Sequence, residues 1–379
     1  MSFFTIFKEE AKTIFSDIAI VLTIIGGVIL YSFLYPQPYS SQSVSGLPIS
    51  IVDLDKTETS RDIIYKLNAT PQISIIRNDL SEKDAKDALV EGKVKAIIII
   101  PPHFKRDLVL QKSPTIAVGA DSSYFLIYGG VLEGAMKSVL TQAATIKVAE
   151  LLKRGTPLSG AKEAYTPYTL KTINLFNPQN SYIQYVIPAV FIIILQQTML
   201  IGLGILGGGV NDRREKRGPT WMVMLSRVII FGSIFFTHML FYFGFSFEMF
   251  GVTHLASIYN LVLFGLSFLL ASIFFGIFIG SLFSSREIAT PVILFSSLPL
   301  IFSVGFIWPL EEIPVVLQYV SNLVPSTPAI NGFLKLNQMG AEFSMVIPEY
   351  SLLWIQAVAY MFLGYYTINK REKELGKDS

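Results

Sequence analysis

The sequence lacks cysteine altogether and has only three histidines among its 379 residues. Without cysteine, neither a disulfide framework nor a thiolate metal site is available. The sequence also lacks the Gly-x-x-x-x-Gly-Lys-Ser/Thr motif, so the chain has no P-loop of its own with which to bind ATP. Charged residues make up only 15% of the chain, whereas hydrophobic residues make up 51%. This composition excludes thiolate-metal and P-loop enzymes and is typical of a membrane protein.

Six apolar runs fill most of the sequence, and each can form a helix across a bilayer, which takes about 20 residues. They cover residues 18–35, 182–208, 228–247, 256–283, 288–307 and 350–368. The first run has no small-residue cleavage pattern near its end, so we take it as a retained span rather than a signal peptide. The predicted fold class is a multispan α-helical membrane protein with six transmembrane helices and one inserted domain. Such a layout favours a transport or export machine.

Lysine and arginine predict the orientation of these spans. Outside residues 36–180 there are 13 basic residues, and only Lys335 falls on the side opposite to the other 12. The 12 are Lys8, Lys12, Arg213, Arg214, Lys216, Arg217, Arg227, Arg286, Lys370, Arg371, Lys373 and Lys377. Because basic loops stay inside, we expect both termini in the cytoplasm and the inserted domain in the periplasm or outside the cell. The expected location is the cell inner membrane, with several crossings.

These patterns predict five consecutive parts of the chain. They are a cytoplasmic amphipathic connecting helix at 1–17, the first span at 18–35, an external domain at 36–181, a five-helix transmembrane bundle at 182–369 and a cytoplasmic tail at 370–379. Within the bundle we expect a cytoplasmic loop at 211–226 and short outer helices at 309–335.

The external domain alternates strand-like and helix-like segments. Strands are predicted at 49–52, 73–77, 96–100 and about 115–118, with helices from Thr59 or Ser60 to about 67, from Ser81 to about 91 and at about 125–153. The run from 96 to 100 is nearly all isoleucine, which is typical of a central strand buried on both faces. The domain is therefore predicted to be a small α/β domain with helices on a sheet.

Single residues that suggest chemistry are few. Asp53 and Asp55 form either a metal-binding pair or a strand end with an Asx turn, and we favour the turn. His238 lies inside the third run, where it is either a proton relay or a polar contact between helices, and we favour the contact because no acidic residue shares the run. The glycines at 207–209 indicate close helix packing or a flexible helix end.

The loop after the second run combines a dense charge cluster with a signal for a new helix. Pro219 suits the first turn of a short helix, and Trp221, Met222 and Met224 offer an apolar face. One interpretation is a positively charged anchor with an interfacial tryptophan. The other is a docking helix for a cytoplasmic partner. The residues alone favour neither.

The segment after the fifth run is interrupted by four X-Pro pairs and is too broken to span a bilayer. Between the prolines, apolar residues recur at helical spacing in Val315, Val316, Tyr319, Val320, Leu323 and Val324. Short helices that dip back into the outer leaflet fit this pattern when they are buried against protein. A plain interfacial helix is the alternative.

Together these features resemble the permease subunit of type-2 ABC exporters, in the subgroup with a large external domain after the first span. The resemblance covers nearly the whole chain. It is carried by Phe176-Asn177-Pro178 and Tyr185-Val186-Ile187-Pro188 before the second span, Gly305-Phe306-Ile307-Trp308-Pro309, Ile313-Pro314, Leu317 and Val324-Pro325 after the fifth, and Asp53-Leu54-Asp55-Lys56-Thr57 in the external domain.

One departure concerns the loop through which such permeases contact their ATPase. The family pattern Arg-Glu-x-Gly-Thr-x-Glu with paired leucines is only partly present. Glu215 and Gly218 remain, but Pro219 comes before Thr220, and the second glutamate and the leucines are missing. We therefore interpret the loop as a degenerate coupling helix, and a second, different permease as partner is one hypothesis that follows.

The resemblance implies roles for three groups of residues. Coupling to the ATPase would involve the amphipathic N-terminal helix and Arg213, Arg214, Glu215, Lys216, Arg217, Gly218, Pro219, Thr220, Trp221, Met222, Ser285, Arg286 and Glu287. The substrate path, along the second and fifth spans, would offer Gln184, Gln196, Gln197, Thr198, Ser296, Ser297 and Ser303. An outer gate would include Trp308, Pro309 and Pro314. For the path residues, hydrogen bonding between helices is an equally good interpretation.

The resemblance also implies the partners. They are a cytoplasmic ABC ATPase subunit that would bind ATP and Mg²⁺, a second permease (the same chain or a paralogue), membrane lipids, and a periplasmic adaptor with an outer-membrane channel. No cofactor, metal or nucleic acid is expected on this chain, and the chain itself is expected not to be an enzyme. Because the path has few charges, the expected cargo is hydrophobic or amphiphilic, such as a drug-like molecule or an envelope lipid. The alternatives are an ion-gradient-driven secondary transporter and an envelope receptor or scaffold.

Overall fold

The computed structural model describes residues 2–39, 45–110, 112–121, 125–160, 176–177, 181–184, 186–213, 217–308 and 310–377. The chain divides into two compact units. Met1–Gln42 together with Asn174–Ser379 form the first, which we call the bundle. Ser43–Ile173 form the second, which we call the inserted domain.

The chain begins with helix α1, Phe3–Ser16. The hydroxyl of Ser2 caps the helix by accepting a hydrogen bond from the Thr5 backbone N–H at 3.3 Å. Ile6, Glu10 and Ile14 are the buried residues of α1 and recur every fourth position, so they lie on one face. The predicted amphipathic helix is therefore present, with a carboxylate on its buried face.

Six helices in the described residues are long and apolar enough to cross a membrane. We number them as the first to sixth spans: Ile18–Tyr39, Val186–Asp212, Thr220–Phe250, Ile258–Leu282, Arg286–Ser303 and Phe343–Glu374. The first and third spans each contain a stretch of π-helix, at Leu22–Gly27 and Phe241–Ser246. The predicted fold class, six spanning helices with an inserted α/β domain, is confirmed.

The second span is the central helix of the bundle. Its most apolar window is 94% buried, whereas that of the fifth span is only 11% buried. The second span packs against the first, fourth and fifth spans. Residues of the fifth span such as Phe295, Leu298 and Phe302 remain exposed on the bundle. A helix so apolar and so exposed needs lipid or a second protein around it.

The third span begins earlier than the sequence indicated. We expected a short helix in the loop and a span from residue 228, but one helix runs from Thr220 onward. Pro219 precedes this helix and does not break it, because proline is tolerated at a helix start. Trp221, Met222 and Met224 therefore belong to the first turns of the third span.

Two short helices follow the fifth span, in the segment where we expected them. They are α6, Val315–Ser321, and α7, Ser326–Phe333, numbered in chain order after the four helices of the inserted domain given below. Helix α7 is almost fully buried, whereas α6 leaves its apolar residues exposed, among them Val316 and Tyr319. The last helix continues from Ile347 to Lys377, so residues 370–377, which we assigned to a tail, continue the helix of the sixth span.

The inserted domain is built on one sheet of four described strands. They are β1, Leu47–Asp53; β2, Ile73–Asn78; β3, Ala96–Ile100; and β4, Ala117–Ala120. The order across the sheet is β2-β1-β3-β4, with β1 parallel to both β2 and β3 and β4 antiparallel to β3. β3 is thus a central strand, as its isoleucine run predicts.

Helices cover both faces of this sheet. They are α2, Glu58–Asn68; α3, Glu82–Val90; α4, Phe104–Val109; and α5, Phe125–Lys153. Side chains on one face pack with α2, α4 and α5, and those on the other face pack with α3. β3 shows the alternation, because Ile98 lies in the first cluster and Ile97 in the second. The predicted α/β arrangement is correct.

Local details of the domain differ slightly from the expectation. The cap of α2 is Thr57 rather than Thr59 or Ser60, and Ser60 completes a capping box with it. Ser81 caps α3 as predicted, by accepting from the Asp84 N–H. The Asx turn favoured for Asp53 is present, because its Oδ1 accepts from the backbone N–H groups of Asp55 and Lys56 at 3.1 and 3.0 Å.

Candidate coupling site and transport path

A buried ion pair joins α1 to the third span. One carboxylate oxygen of Glu10 accepts a hydrogen bond from Nε of Arg227 at 2.8 Å. Both side chains are nearly inaccessible to solvent, with 1% and 5% of their side-chain surface exposed. A charge buried in this way needs a partner, because desolvation of an unpaired ion is costly. The pair therefore fixes where α1 lies along the bundle.

Arg217 extends this pair into a network. Its Nη1 lies 3.6 Å from Oε1 of Glu10, an ionic contact too long for a hydrogen bond. The same nitrogen donates to the Thr13 hydroxyl at 2.9 Å. The Arg217 backbone N–H donates to the carboxylate of Glu372 on the sixth span at 3.4 Å. Arg217 thus connects α1, the loop before the third span and the C-terminal helix.

Gly218 allows this loop to approach α1. Its φ of +105° lies in the region that residues with a Cβ rarely adopt, and a Cβ added there would lie 3.0 Å from Cδ1 of Ile6. The glycine shared with the family pattern therefore has a local reason in this chain.

A second ion pair joins the start of the first span to the start of the fifth. Nη1 of Arg286 lies 2.9 Å from Oδ2 of Asp17. Oδ1 of Asp17 also accepts from the Ala19 backbone N–H at 3.0 Å, so the same carboxylate caps the first span. We call the end of the bundle that holds Arg217, Arg227 and Arg286 the basic end.

The predicted coupling residues lie at the basic end where the structure describes them. Arg213 follows the last residue of the second span and is exposed, Ser285 is the N-cap residue of the fifth span, and Glu287 is exposed in its first turn. Trp221 is exposed and, with Met224, lines an apolar cavity of about 430 Å³ between the third, fourth and sixth spans. Arg214, Glu215 and Lys216 lie outside the described residues.

Sequence reasoning missed Glu10, Thr13, Asp17 and Glu372 as members of this network. A signal for Glu10 was available, since it lies four residues from Ile6 and from Ile14 on the apolar face of α1. For Glu372, which lies in a charged stretch, the sequence holds no comparable signal.

Two of the predicted path residues make hydrogen bonds within the bundle. Gln196 is fully buried, and it both donates to the hydroxyl and accepts from the backbone N–H of Ser326, at 3.1 and 2.6 Å. Gln184 donates to the Gly251 carbonyl and accepts from the Thr253 N–H, both at 2.9 Å. The bond of Gln196 to α7 is the kind of hydrogen bond between helices that we gave as the alternative, whereas Gln184 binds the segment that follows the third span.

Gln197 connects the two predicted path helices. Its Nε2 donates to the Ser297 hydroxyl on the fifth span at 2.7 Å. Within the described part of the chain, its buried Oε1 has no hydrogen-bond partner. Thr198 and Ser296 bond to carbonyls of their own helices at 2.7 Å, and Ser296 is exposed. Gln197 thus keeps a buried carbonyl oxygen that can accept a hydrogen bond.

At the end opposite to the basic end, one residue predicted for the substrate path and two predicted for the outer gate line the same cavity. Ser303, Trp308 and Pro314 surround a space of about 420 Å³, together with Leu317 and Ile313. Trp308 is 59% exposed, and α6 forms one wall. Pro309 lies outside the described residues.

His238 makes the helix-to-helix contact that we favoured. Its Nε2 lies 2.9 Å from the Ile24 carbonyl of the first span, and the Tyr242 hydroxyl donates to the Val28 carbonyl at 2.7 Å. These carbonyls lie in and next to the π-helical turn, where the regular helix hydrogen bonds are disturbed. Both side chains thus satisfy backbone acceptors of the first span.

A family model for the ABC-2 family transporter protein matches residues 18–366, which is most of the chain and includes the inserted domain. The chain belongs to the ABC-2 family of transporters. It is similar to the inner membrane transport permease YhhJ of Escherichia coli (strain K12) and to the protein of the same name in Shigella flexneri. Each is 23% identical over 384 residues, which is 96% of this chain and 95% of the relative.

This family agrees with the resemblance inferred from the sequence. Membership supports a membrane-spanning permease subunit that works with an ABC ATPase subunit. The transporter permease is a multi-pass membrane protein with the six helices described above. At the basic end, one ion pair connects α1 with the third span and the other connects the start of the first span with the start of the fifth.

Proposed function

We propose that this chain is the permease subunit of an ATP-driven exporter that moves a hydrophobic or amphiphilic substrate out of the cytoplasm or the inner leaflet. A separate cytoplasmic ATPase supplies the energy and binds ATP and Mg²⁺. Drug-like molecules and envelope lipids are the substrate classes that such a path accommodates.

The ionic network of the basic end is the observation that carries this proposal. Displacement of α1 or of the loop at Arg217 would pull on the third span through Glu10 and Arg227, and on the sixth through Glu372. Asp17 and Arg286 link the same end to the fifth span. An ATPase docked here therefore has a direct connection to the helix with the most exposed apolar face.

The substrate class is supported by the character of the path. The fifth span exposes Phe295, Leu298 and Phe302, and the cavity beside Trp308 is lined mostly by apolar side chains. The buried acceptor of Gln197 is one of the few polar groups offered along this route. An apolar lining with few polar groups suits an amphiphile better than an ion.

The exposed face of the fifth span also supports a second permease at this surface, either the same chain or a paralogue. With the basic end in the cytoplasm, the inserted domain lies outside, on the side expected from the lysine and arginine distribution. The inner membrane is the proposed location. An adaptor and an outer-membrane channel stay predictions from the resemblance.

The test is transport by the purified chain in proteoliposomes, with and without the ABC ATPase subunit that co-purifies with it. A fluorescent short-chain phospholipid and an amphiphilic dye serve as probes. We expect movement of a probe only when the ATPase and ATP are both present, and none when the ATPase carries a substitution of its P-loop lysine.

Movement of either probe by the chain alone, driven by an imposed proton or sodium gradient, would contradict the proposal. It would favour the secondary transporter instead.

A further inference from the structure

The inserted domain contains an apolar cavity of about 540 Å³ that the proposed function does not use. It lies between α5 on one side and α2, α4 and β4 on the other. The buried side chains of Ile63, Phe104 and Ala135 form its floor. Its volume falls within the roughly 300–1,000 Å³ of known small-molecule sites.

Helix α5 presents two different faces to the domain. Val131, Ala135, Ser138 and Gln142 form the buried face that packs on the sheet and on α2. The neighbouring stripe lines the cavity with Leu132, Met136, Val139, Ala143 and Ile146. Met136 is 52% exposed although it is apolar and belongs to a concave surface. Because α5 is already packed on the domain through its buried face, the second apolar stripe on the same helix marks a surface for a ligand.

The mouth of the cavity is basic. A groove of about 740 Å³ shares Leu108, Gln142 and Ile146 with the cavity, so the two are continuous. The charged residues that line the two spaces are Lys112, Lys105, Lys153, Arg61, Glu58 and Asp62. Asp62 is already paired with Lys66 at 3.1 Å, which leaves an excess of positive charge around the opening.

We infer that this cavity binds a single-chain anionic lipid, with the acyl chain in the cavity and the acidic group at the basic mouth. Burial of the chain removes apolar surface of both the lipid and α5 from water. The lysines and Arg61 supply charge-assisted hydrogen bonds to a carboxylate or phosphate. A protein partner would need a broad exposed patch, whereas this surface is a concave space between α5 on one side and α2, α4 and β4 on the other, with a buried floor.

This inference stands apart from the proposed function, because it needs neither the ATPase nor transport. The test uses the full chain in nanodiscs and a palmitic acid probe that carries a diazirine on the chain and an alkyne handle. After irradiation, mass spectrometry locates the adducts on the protein sequence. We expect adducts on the α5 stripe, around Met136 and Val139, in addition to labelling of the spans by lipid in the bilayer.

Ala143→Trp fills the cavity from an exposed position, so we expect it to lower labelling of the α5 stripe at least about fivefold. Thr145→Trp is the matched control, since Thr145 is exposed on the same helix and does not line the cavity. It should label as the native chain does. Equal thermal unfolding of the two variants shows that both are folded.

Charge is tested by a palmityl alcohol probe and by Lys105→Glu with Lys112→Glu. The alcohol probe on the native chain and the acid probe on the double variant should each give several-fold less labelling of the stripe than the acid probe on the native chain. Unlabelled lysophosphatidylglycerol should compete with the acid probe. Labelling of α5 that Ala143→Trp leaves unchanged, an α5 without adducts, or equal labelling by acid and alcohol would each overturn the inference.

Discussion

The carboxylate of Glu10 is buried, and two arginines from a distant part of the sequence neutralise it, Arg227 through a hydrogen bond and Arg217 through an ionic contact of 3.6 Å. Replacement of a buried ion pair by apolar residues is often neutral, but removal of one partner is costly, because the other charge stays buried. At the scale of single residues, this pair is therefore the most sensitive point of the basic end.

We predict that Glu10→Ala destabilises the protein by about 3–5 kcal/mol, the usual cost of leaving one buried charge without its partner. Thermal unfolding of the detergent-solubilised protein measures the loss. Glu9→Ala is the control, because Glu9 neighbours Glu10 on α1 but is exposed.

The double variant Glu10→Leu with Arg227→Met should recover part of the stability, since only Arg217 then lacks its carboxylate, and the Arg217 side chain, 11% exposed, keeps its hydrogen bond to Thr13. Equal unfolding temperatures for Glu10→Ala and Glu9→Ala would show that the ion pair does not hold α1 in place.

In the inserted domain, Asp79 is likewise a carboxylate paired with an arginine. Hydrogen bonds from Arg77, at 2.7 Å, and from the Ser50 hydroxyl, at 2.6 Å, lower the pKa of Asp79 below the usual value of about 4. Since the folded pKa is the lower one, its contribution to stability is complete above about pH 4 and is lost as the pH falls through the folded pKa.

We predict that Asp79→Asn lowers the unfolding temperature of the inserted domain at pH 7 and that the difference from the native protein shrinks below about pH 4. Scanning calorimetry from pH 3 to pH 7 measures it. Asp87→Asn, an exposed carboxylate on α3, is the control and should have little effect. A difference that stays constant over this range would contradict the role of the Asp79 charge.

Residue roles were the hardest part to predict from sequence. The Asx turn at Asp53 was predictable because it involves only neighbouring residues. The contact of His238 was predictable because its apolar run contains no acidic residue for a proton relay. Gln184 and Gln196 were assigned to the path because they are polar residues of the predicted second span, which the resemblance places along the path. Only packing shows that their partners, Gly251 and Ser326, lie on neighbouring segments.

At the scale of elements, the glycines that end the second span determine how closely it meets its neighbours. A Cβ on Gly207 would fall within 3.0 Å of the Gly280 backbone in the fourth span, and one on Gly208 within 3.0 Å of the Ser285 backbone. Gly209 differs, because the nearest atom to its Cβ would be Nη2 of Arg213 at 3.7 Å. The predicted close packing is thus correct for two of the three glycines.

We predict that Gly207→Ala and Gly208→Ala each lower the yield of folded protein and its unfolding temperature strongly, because backbone atoms cannot move aside as side chains do. Size-exclusion profiles and thermal unfolding in detergent measure this. Gly209→Ala is the matched control and should behave as the native chain, since alanine also favours helix. A loss for Gly209→Ala equal to the others would mean that helix flexibility, not packing, is what these glycines provide.

The predicted element boundaries were wrong where two sequence signals overlapped. The charge cluster led us to assign residues 211–226 to a loop with a short helix after Pro219, yet the helix that starts at Thr220 is already the third span. The cap of α2 was misplaced by two or three residues because Thr57, Thr59 and Ser60 are all good caps. β3, by contrast, was placed correctly, since an uninterrupted isoleucine run has few alternatives.

At the scale of the whole molecule, the layout was predictable because it rests on long and redundant signals. Six runs of bilayer length and one mixed-charge block specify the bundle and the inserted domain without help from any single residue. What the sequence does not contain is the pairing of distant charges, such as Asp17 with Arg286, since that depends on which helices become neighbours.

The orientation of the molecule is the prediction on which the proposed export direction depends. Because the native chain has no cysteine, one introduced thiol is labelled against no background. We predict that Lys86→Cys, on the exposed surface of α3, reacts with a membrane-impermeant maleimide in intact spheroplasts. Lys373→Cys, exposed near the end of the sixth span, should react only after the membrane is permeabilised. The reverse pattern would place the basic end outside, where no cytoplasmic ATPase reaches it, and the ionic network would then need a different explanation.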